Sequence, residues 1–222
     1  MLVSFYCIAL LVGIFSTGAY LVFGNTPKEY TRAMMLVLLI LITGLLTESV
    51  WEARGSSDSF LLFNALYVYL RPTFMLLLFS QLPYSCQLQK KVVPTILVFL
   101  ILGGAISVFL QSPFTGVQSY AYLLGHGLVL FYSIIFFKDL LAQSRYKDIN
   151  LLSLPYFWIA SLVLFSFGES YILFILAHYF PSLGSYGRGQ VFQWVQFFGA
   201  IMYLSLGLSF YAPLVFKRRY SY

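Results

Sequence analysis

Four ionisable side chains lie inside long apolar stretches of the sequence, and their types could support charge pairing and proton exchange. They are Glu48, Arg71, His126 and Glu169. A charged group in the membrane interior costs about 2.5–3.5 kcal/mol on insertion scales, so such residues usually face the inside of a helix bundle. A histidine near neutral pH can also exchange protons with its surroundings. We therefore expect a polar centre in an otherwise apolar protein.

Three of these residues share a depth along their helices. With a rise of 1.5 Å per residue, Arg71 lies roughly 16 Å, Glu169 roughly 15 Å and His126 roughly 12 Å from the outer boundary. Glu48 lies higher, only about 5 Å from it. Because Glu169 is the acidic residue at the depth of Arg71, we expect an Arg71–Glu169 ion pair, acting either as a switch or only as a fixed helix contact. Pro72, beside Arg71, should bend that helix.

Uncharged polar and tyrosine side chains also fall on single helix faces, on the spans of Arg71 and His126 and on the seventh span. They are Tyr67, Tyr122, Gln193, Gln196 and Tyr203, with Asn64 and Gln118 one turn before the first two. Tyr67 and Tyr122 stand four residues before Arg71 and His126, a spacing that places each pair on one helix face. Polar faces at one level on several helices predict a shared intramembrane cavity. We expect these residues to bind a ligand there or to form a switch that responds to it.

The composition identifies the elements that must position these residues. Of 222 residues, 60% are apolar, 20% aromatic and only 9% charged, whereas a soluble domain carries about 25% charged residues. This excludes a soluble enzyme, a disordered chain and a disulfide scaffold. Apolar stretches near 20 residues long predict one all-α domain, a bundle of seven transmembrane helices. The predicted spans are about 2–23, 33–51, 60–82, 92–110, 118–138, 153–179 and 190–216.

The basic residues predict how the bundle sits in the membrane. Of thirteen Lys and Arg residues, ten fall on one side, while Arg54 and Arg188 fall on the other and Arg71 lies within a span. Cytoplasmic loops carry the excess of Lys and Arg. We therefore expect the N-terminus outside and the C-terminus in the cytoplasm. The same excess accounts for the basic pI, so we expect no nucleic-acid partner.

Several chemistries lack the residues that they need. A retinal protein needs a lysine in the middle of its last helix, and the stretch 190–216 has none. His126 and His178 differ too much in depth to share a haem, and an intramembrane zinc hydrolase needs more histidines and a buried aspartate. We expect no cofactor and no metal. An enzyme remains only as an unusual lipid-modifying activity.

The sixth apolar stretch carries a resemblance to a known group of proteins. It reads LLSLPYFWIASLVLFSFGESYILFILAHYF from Leu151 to Phe180. It resembles small, uncharacterised seven-span membrane proteins of Bacteroidetes-type bacteria, with Pro155 to Ile159 at the start of the span and a small polar interruption at 168–170. Such proteins are often encoded beside sensor histidine kinases or response regulators, so the resemblance implies membrane sensing and residence in a bacterial cytoplasmic membrane. The group tends to carry an acidic or neutral residue where this chain has Arg71.

These observations together predict a sensory or signalling component embedded in the lipid bilayer. It would bind a small molecule or lipid in an outward-facing cavity and act on a cytoplasmic signalling partner. A small transporter or permease is the alternative, because midplane charges and broken helices also suit transport. The lipid-modifying enzyme is the second alternative.

Overall fold

The computed structural model describes residues 2–24, 28–52, 57–81, 86–142, 150–179 and 188–216. In this part of the chain, seven helices are long and apolar enough to span a membrane, which indicates an integral membrane protein. The predicted all-α bundle of seven helices is confirmed. The basic residues 54, 145, 147 and 217–219, on which the predicted orientation partly rests, lie outside the described residues. The orientation stays a prediction.

The helix bounds differ from the predicted spans by at most six residues, and the largest difference is at the start of the fourth helix. Five helices are uninterrupted: α1 (Leu2–Phe23), α2 (Lys28–Glu52), α4 (Cys86–Phe109), α5 (Ser119–Ala142) and α6 (Pro155–Tyr179). Helix α3 has three consecutive segments: Ser57–Phe63, the π-helical Asn64–Leu70, and Arg71–Ser80. Helix α7 runs over Arg188–Leu208 and continues through a 3₁₀ turn, Ser209–Tyr211, into Ala212–Phe216. A second 3₁₀ turn, Leu151–Ser153, precedes α6.

The π-helical segment of α3 stands where Pro72 was expected to bend the chain. The backbone N–H of Arg71 donates to the carbonyl of Leu66, five residues earlier, which is the wide turn of a π-helix. Pro72 follows near the start of the next α-helical segment. Because proline has no N–H to donate to the carbonyl four residues earlier, it interrupts the α-helical pattern on its N-terminal side. The wide turn lies directly before the buried arginine.

Six of the helices form a ring. Helix α1 packs on α2 and α7, α3 packs on α2 and α5, and α6 packs on α5 and α7, while α4 lies outside against α3 and α5. The closest crossing joins α1 and α7. A Cβ atom built on Gly207 would lie 2.5 Å from Cα of Gly13, so only small residues permit this approach. The α1–α7 crossing thereby closes the ring.

The two ends of the bundle are marked by different contacts. At one end Tyr20 packs on Tyr211 with ring centroids 4.8 Å apart, and Tyr30 packs on Tyr156 at 5.5 Å. We call this the Tyr211 end. The other end holds the connection between α4 and α5. Since consecutive helices alternate in direction, several described basic residues lie near the Tyr211 end: Arg32, Lys90, Lys91 and Lys138.

Candidate functional site

The side chain of Arg71 is buried where α1, α3, α5, α6 and α7 converge, and only 7% of its surface is exposed. Its Cζ atom lies 4.9 Å from the ring centroid of Tyr67, 5.0 Å from that of Phe167 and 5.2 Å from that of Tyr203. Two further tyrosines pack on these rings: Tyr6 on Tyr203 and Tyr122 on Tyr67, each with ring centroids 5.7 Å apart. We call these five side chains the aromatic cage: Tyr6, Tyr67, Tyr122, Phe167 and Tyr203.

His126 lies beside Arg71 and stacks on two members of the cage. Its imidazole ring is 3.8 Å from the Tyr122 ring and 4.8 Å from the Phe167 ring, centroid to centroid. Its Nδ1 atom is 3.1 Å from the backbone carbonyl of Tyr122. A carbonyl only accepts, so Nδ1 is the donor, and a neutral imidazole then presents Nε2 as an acceptor. Nε2 is buried and has no hydrogen-bond partner among the described residues.

The expected Arg71–Glu169 ion pair is not formed. Within the described ranges, Arg71 has tyrosines as its electrostatic partners, and both its Nε atom and Oε2 of Glu169 are buried without a hydrogen-bond partner. The reason lies in the rotation of α6 about its axis. Phe167 faces Arg71, and a residue two positions further along an α-helix is turned by about 200°. Glu169 therefore lies at the depth of Arg71 but on nearly the opposite side of α6, so that its side chain does not face Arg71.

Asn64 and Gln118 belong to a separate network, although the spacing placed them on the same faces as Tyr67 and Tyr122. The Nδ2 atom of Asn64 donates to two backbone carbonyls of the α4–α5 connection, at 2.9 and 2.8 Å, and its Oδ1 accepts from the backbone N–H of Gln118 at 3.1 Å. The hydroxyl of Tyr69 donates to Oε1 of Gln118 at 2.7 Å. Because a π turn holds one residue more than an α turn, it separates Asn64 from the face that carries the cage residues.

The remaining predicted site residues are not part of the cage. Nε2 of Gln196 donates to Oε1 of Glu48 at 3.4 Å, and Glu48 also interacts electrostatically with Tyr203. Gln193 is exposed. The side chain of His178 lies outside the described residues. The structure therefore brings together five of the nine predicted residues: Arg71, Tyr67, Tyr122, His126 and Tyr203.

Two members of the cage, Tyr6 and Phe167, were not predicted from the sequence. Aromatic residues were expected at packing contacts and at the membrane interface, and only a charged partner was expected for Arg71. A signal was present, because a buried guanidinium without a carboxylate is commonly placed over aromatic rings. The 23 Phe and 18 Tyr residues of the chain make such an environment easy to assemble.

A groove of about 350 Å³ lies away from the cage, between α4 and α5, and is lined mainly by apolar side chains with Lys91 at one end. Among the residues that the structure describes, no three His, Cys, Asp or Glu side chains are grouped so as to hold a metal ion. The cage therefore offers the more specific chemistry, an arginine fork and a histidine acceptor in an apolar enclosure. Comparisons of the chain with protein-family models, curated proteins and solved structures gave no match.

Proposed function

We propose that this chain is a sensory component of a bacterial cytoplasmic membrane that binds a small molecule or lipid at Arg71. The observation that carries the proposal is the buried guanidinium, whose Nε has no hydrogen-bond partner among the described residues. A cation inside the membrane costs stability, and proteins keep such local violations chiefly at functional sites. The resemblance of residues 151–180 to proteins encoded beside sensor kinases supplies the partner: a cytoplasmic kinase or response regulator.

The proposed orientation places the N-terminus outside and the Tyr211 end in the cytoplasm. Arg32, Lys90 and Lys138 near that end support this, because basic residues accumulate on the cytoplasmic side. The cage then lies in the outer half of the bundle. The inner half is filled by buried apolar side chains that include Phe79 and Phe136. A filled inner half favours a sensor over an open passage.

Helix α3 provides a route from the ligand to the cytoplasm. Its π turn precedes Arg71, and the segment Arg71–Ser80 continues from there towards the Tyr211 end. Conversion between a π and an α turn changes the rotation of the residues that follow, and single π turns recur at functional sites. A ligand on Arg71 would therefore rotate or shift this segment, which is how small changes at one site become helix movements at another.

Transport of a small molecule is the second candidate, and one observation favours it. The change from π to α geometry makes α3 discontinuous close to a buried charge, and discontinuous helices form the substrate sites of many transporters. The two candidates differ in what happens to the bound molecule, since a sensor retains it on one side and a transporter releases it on the other.

Distances between helix ends test the sensory proposal. Spin labels on cysteines at Phe23 and Gln81, with Cys7 and Cys86 replaced by serine, report the separation of α1 and α3 at the Tyr211 end. The protein in lipid nanodiscs is exposed to acetate, acetamide, phosphatidylglycerol and diacylglycerol in turn. A sensor should change this distance by about 1–5 Å with at least one probe.

A second label pair is the control, at the exposed residues Leu110, directly after α4, and Ile172, on α6, near the opposite end. Its distance should stay the same, because the proposed movement follows the segment after Arg71. If no probe moves the first pair, the sensory proposal is wrong. Saturable uptake of a bound probe into proteoliposomes would instead establish the transporter.

A further inference from the structure

We infer that Arg71 binds an oxyanion of single negative charge, either the carboxylate of a small molecule or the phosphodiester of a lipid headgroup. This inference rests on the proposed function and names the class of its ligand. It follows from the donors that the cage leaves unused and from the balance of charge around Arg71.

The aromatic rings stabilise the positive charge of Arg71 but do not satisfy its hydrogen-bond donors. Three ring centroids lie 4.9 to 5.2 Å from Cζ, within the range of cation–π attraction. A guanidinium also carries five N–H donors in its plane, and Nε is buried without a partner among the described residues. That planar fork matches a carboxylate or a phosphate, which accepts two parallel hydrogen bonds.

The charge balance selects a single negative charge. In the described part of the chain, the guanidinium of Arg71 is surrounded by aromatic rings and makes no ion pair with Glu169, and Glu48 accepts a hydrogen bond from Gln196 at 3.4 Å. A carboxylate or a phosphodiester neutralises one cation, whereas a phosphate monoester near −2 leaves a buried excess charge, which is costly.

His126 adds one acceptor to this set of donors. Nε2 is buried and has no hydrogen-bond partner among the described residues, and Arg71 lies close enough to interact electrostatically with the imidazole. Two side chains more than nine-tenths buried thus present unused polar atoms in one region, Arg71 as donor and His126 as acceptor. A ligand that carries a hydroxyl or N–H group beside its anionic group would satisfy both.

Thermal unfolding of the wild-type protein tests the class of ligand and separates its two sources. In phosphatidylcholine nanodiscs, sodium acetate is compared with acetamide, an uncharged molecule of nearly the same shape, with sodium chloride balancing the ionic strength. In a second arm, nanodiscs containing phosphatidylglycerol are compared with pure phosphatidylcholine. Acetate should raise the melting temperature if the source is a soluble carboxylate, and phosphatidylglycerol should raise it if the source is a lipid. If neither does so, the inference is wrong.

Three variants locate the response at Arg71. Arg71→Met should abolish it, and Arg71→Lys, which keeps the charge but loses the fork, should weaken the apparent affinity about tenfold or more. Lys91→Met is the control, since Lys91 is an exposed cation on α4, and its response should equal that of the wild type. Should Arg71→Met fail to fold, Arg71→Lys still decides. A response that is unchanged in Arg71→Lys, or lost in Lys91→Met, would place the anion elsewhere.

The test also separates this inference from the sensory proposal. If neither anion binds but acetamide or diacylglycerol changes the Phe23–Gln81 distance, the inferred oxyanion ligand is wrong and the sensory proposal is supported. If an anion binds at Arg71 without changing that distance, the inferred oxyanion ligand is supported and the sensory proposal is wrong.

Discussion

Double-mutant cycles distinguish an aromatic cage from an ion pair at Arg71. One cycle combines Arg71→Met with Tyr67→Leu, and the other combines Arg71→Met with Glu169→Gln. Each cycle gives the interaction free energy between the two side chains, because the separate effects of the two single substitutions cancel. The geometry of the cage predicts clearly different values for the two cycles.

The expected magnitudes follow from distance and burial. The Tyr67 ring centroid is 4.9 Å from Cζ of Arg71, and a desolvated cation–π contact contributes about 2 kcal/mol. The Arg71–Tyr67 coupling in the free energy of unfolding should therefore be about 2 kcal/mol. An ion pair at 4 Å would contribute about 4 kcal/mol at an effective dielectric constant of 20. Since Glu169 does not pair with Arg71, that coupling should stay below about 0.5 kcal/mol.

The couplings are measured by unfolding the protein in dodecyl maltoside micelles with increasing SDS, followed by circular dichroism. Phe165→Leu, at a 58% exposed position on α6, replaces Glu169→Gln in a control cycle and should show no coupling to Arg71. A coupling between Arg71 and Glu169 that equals or exceeds the one with Tyr67 would refute the cage and restore the ion pair.

Three further changes test the elements that hold the cage in place. Gly207→Ala should lower the free energy of unfolding by about 1–3 kcal/mol, because its Cβ atom would lie 2.5 Å from the backbone of α1. Gly18→Ala is the control and should not lower it, because no atom lies within 4 Å of a Cβ at that position. Equal losses would contradict the close α1–α7 crossing. Asn64→Ala removes three hydrogen bonds to the α4–α5 connection, so hydrogen–deuterium exchange there should accelerate, and unchanged exchange would count against the network. Tyr69→Phe removes the 2.7 Å hydrogen bond to Oε1 of Gln118 and should cost about 0.5–1.5 kcal/mol. Tyr120→Phe, at an exposed position, should be neutral, and a neutral Tyr69→Phe would show that the network is dispensable.

The seven helices could be predicted from the sequence because hydropathy and length suffice to identify a membrane-spanning helix. The ends were less certain. Helix α2 begins at Lys28, five residues before the predicted span. Lys and Arg have a high helix propensity, so a helix can include them beyond the apolar segment. An apolar window reports only the part of a helix that lies in hydrocarbon. The polar turn of α2 before that window was therefore left out of the predicted span.

The partners of Arg71 could not be predicted in the same way. Counting residues along a helix gives the depth of a side chain, but its direction depends on how the helix is rotated about its axis. Arg71 and Glu169 agree in depth and differ in direction. Pro72 indicated a disturbance in α3 but not a π turn, and the π turn is what separated Asn64 from the cage. Rotation and turn type follow from the packing of all the helices, which no single stretch of sequence contains.

The aromatic cage would also pack around an uncharged side chain at position 71, which separates stability from binding. Replacing a buried charge by an apolar residue of similar volume is often neutral or stabilising, because the cost of removing the charge from water is avoided. Arg71→Met loses about 2 kcal/mol from each desolvated cation–π contact but recovers a desolvation penalty of several kcal/mol. We therefore expect its free energy of unfolding to stay within about 1 kcal/mol of the wild type, while the response to acetate or phosphatidylglycerol disappears. A loss of more than about 3 kcal/mol would show that Arg71 also serves the fold, and the response of Arg71→Lys would then decide whether it binds the anion.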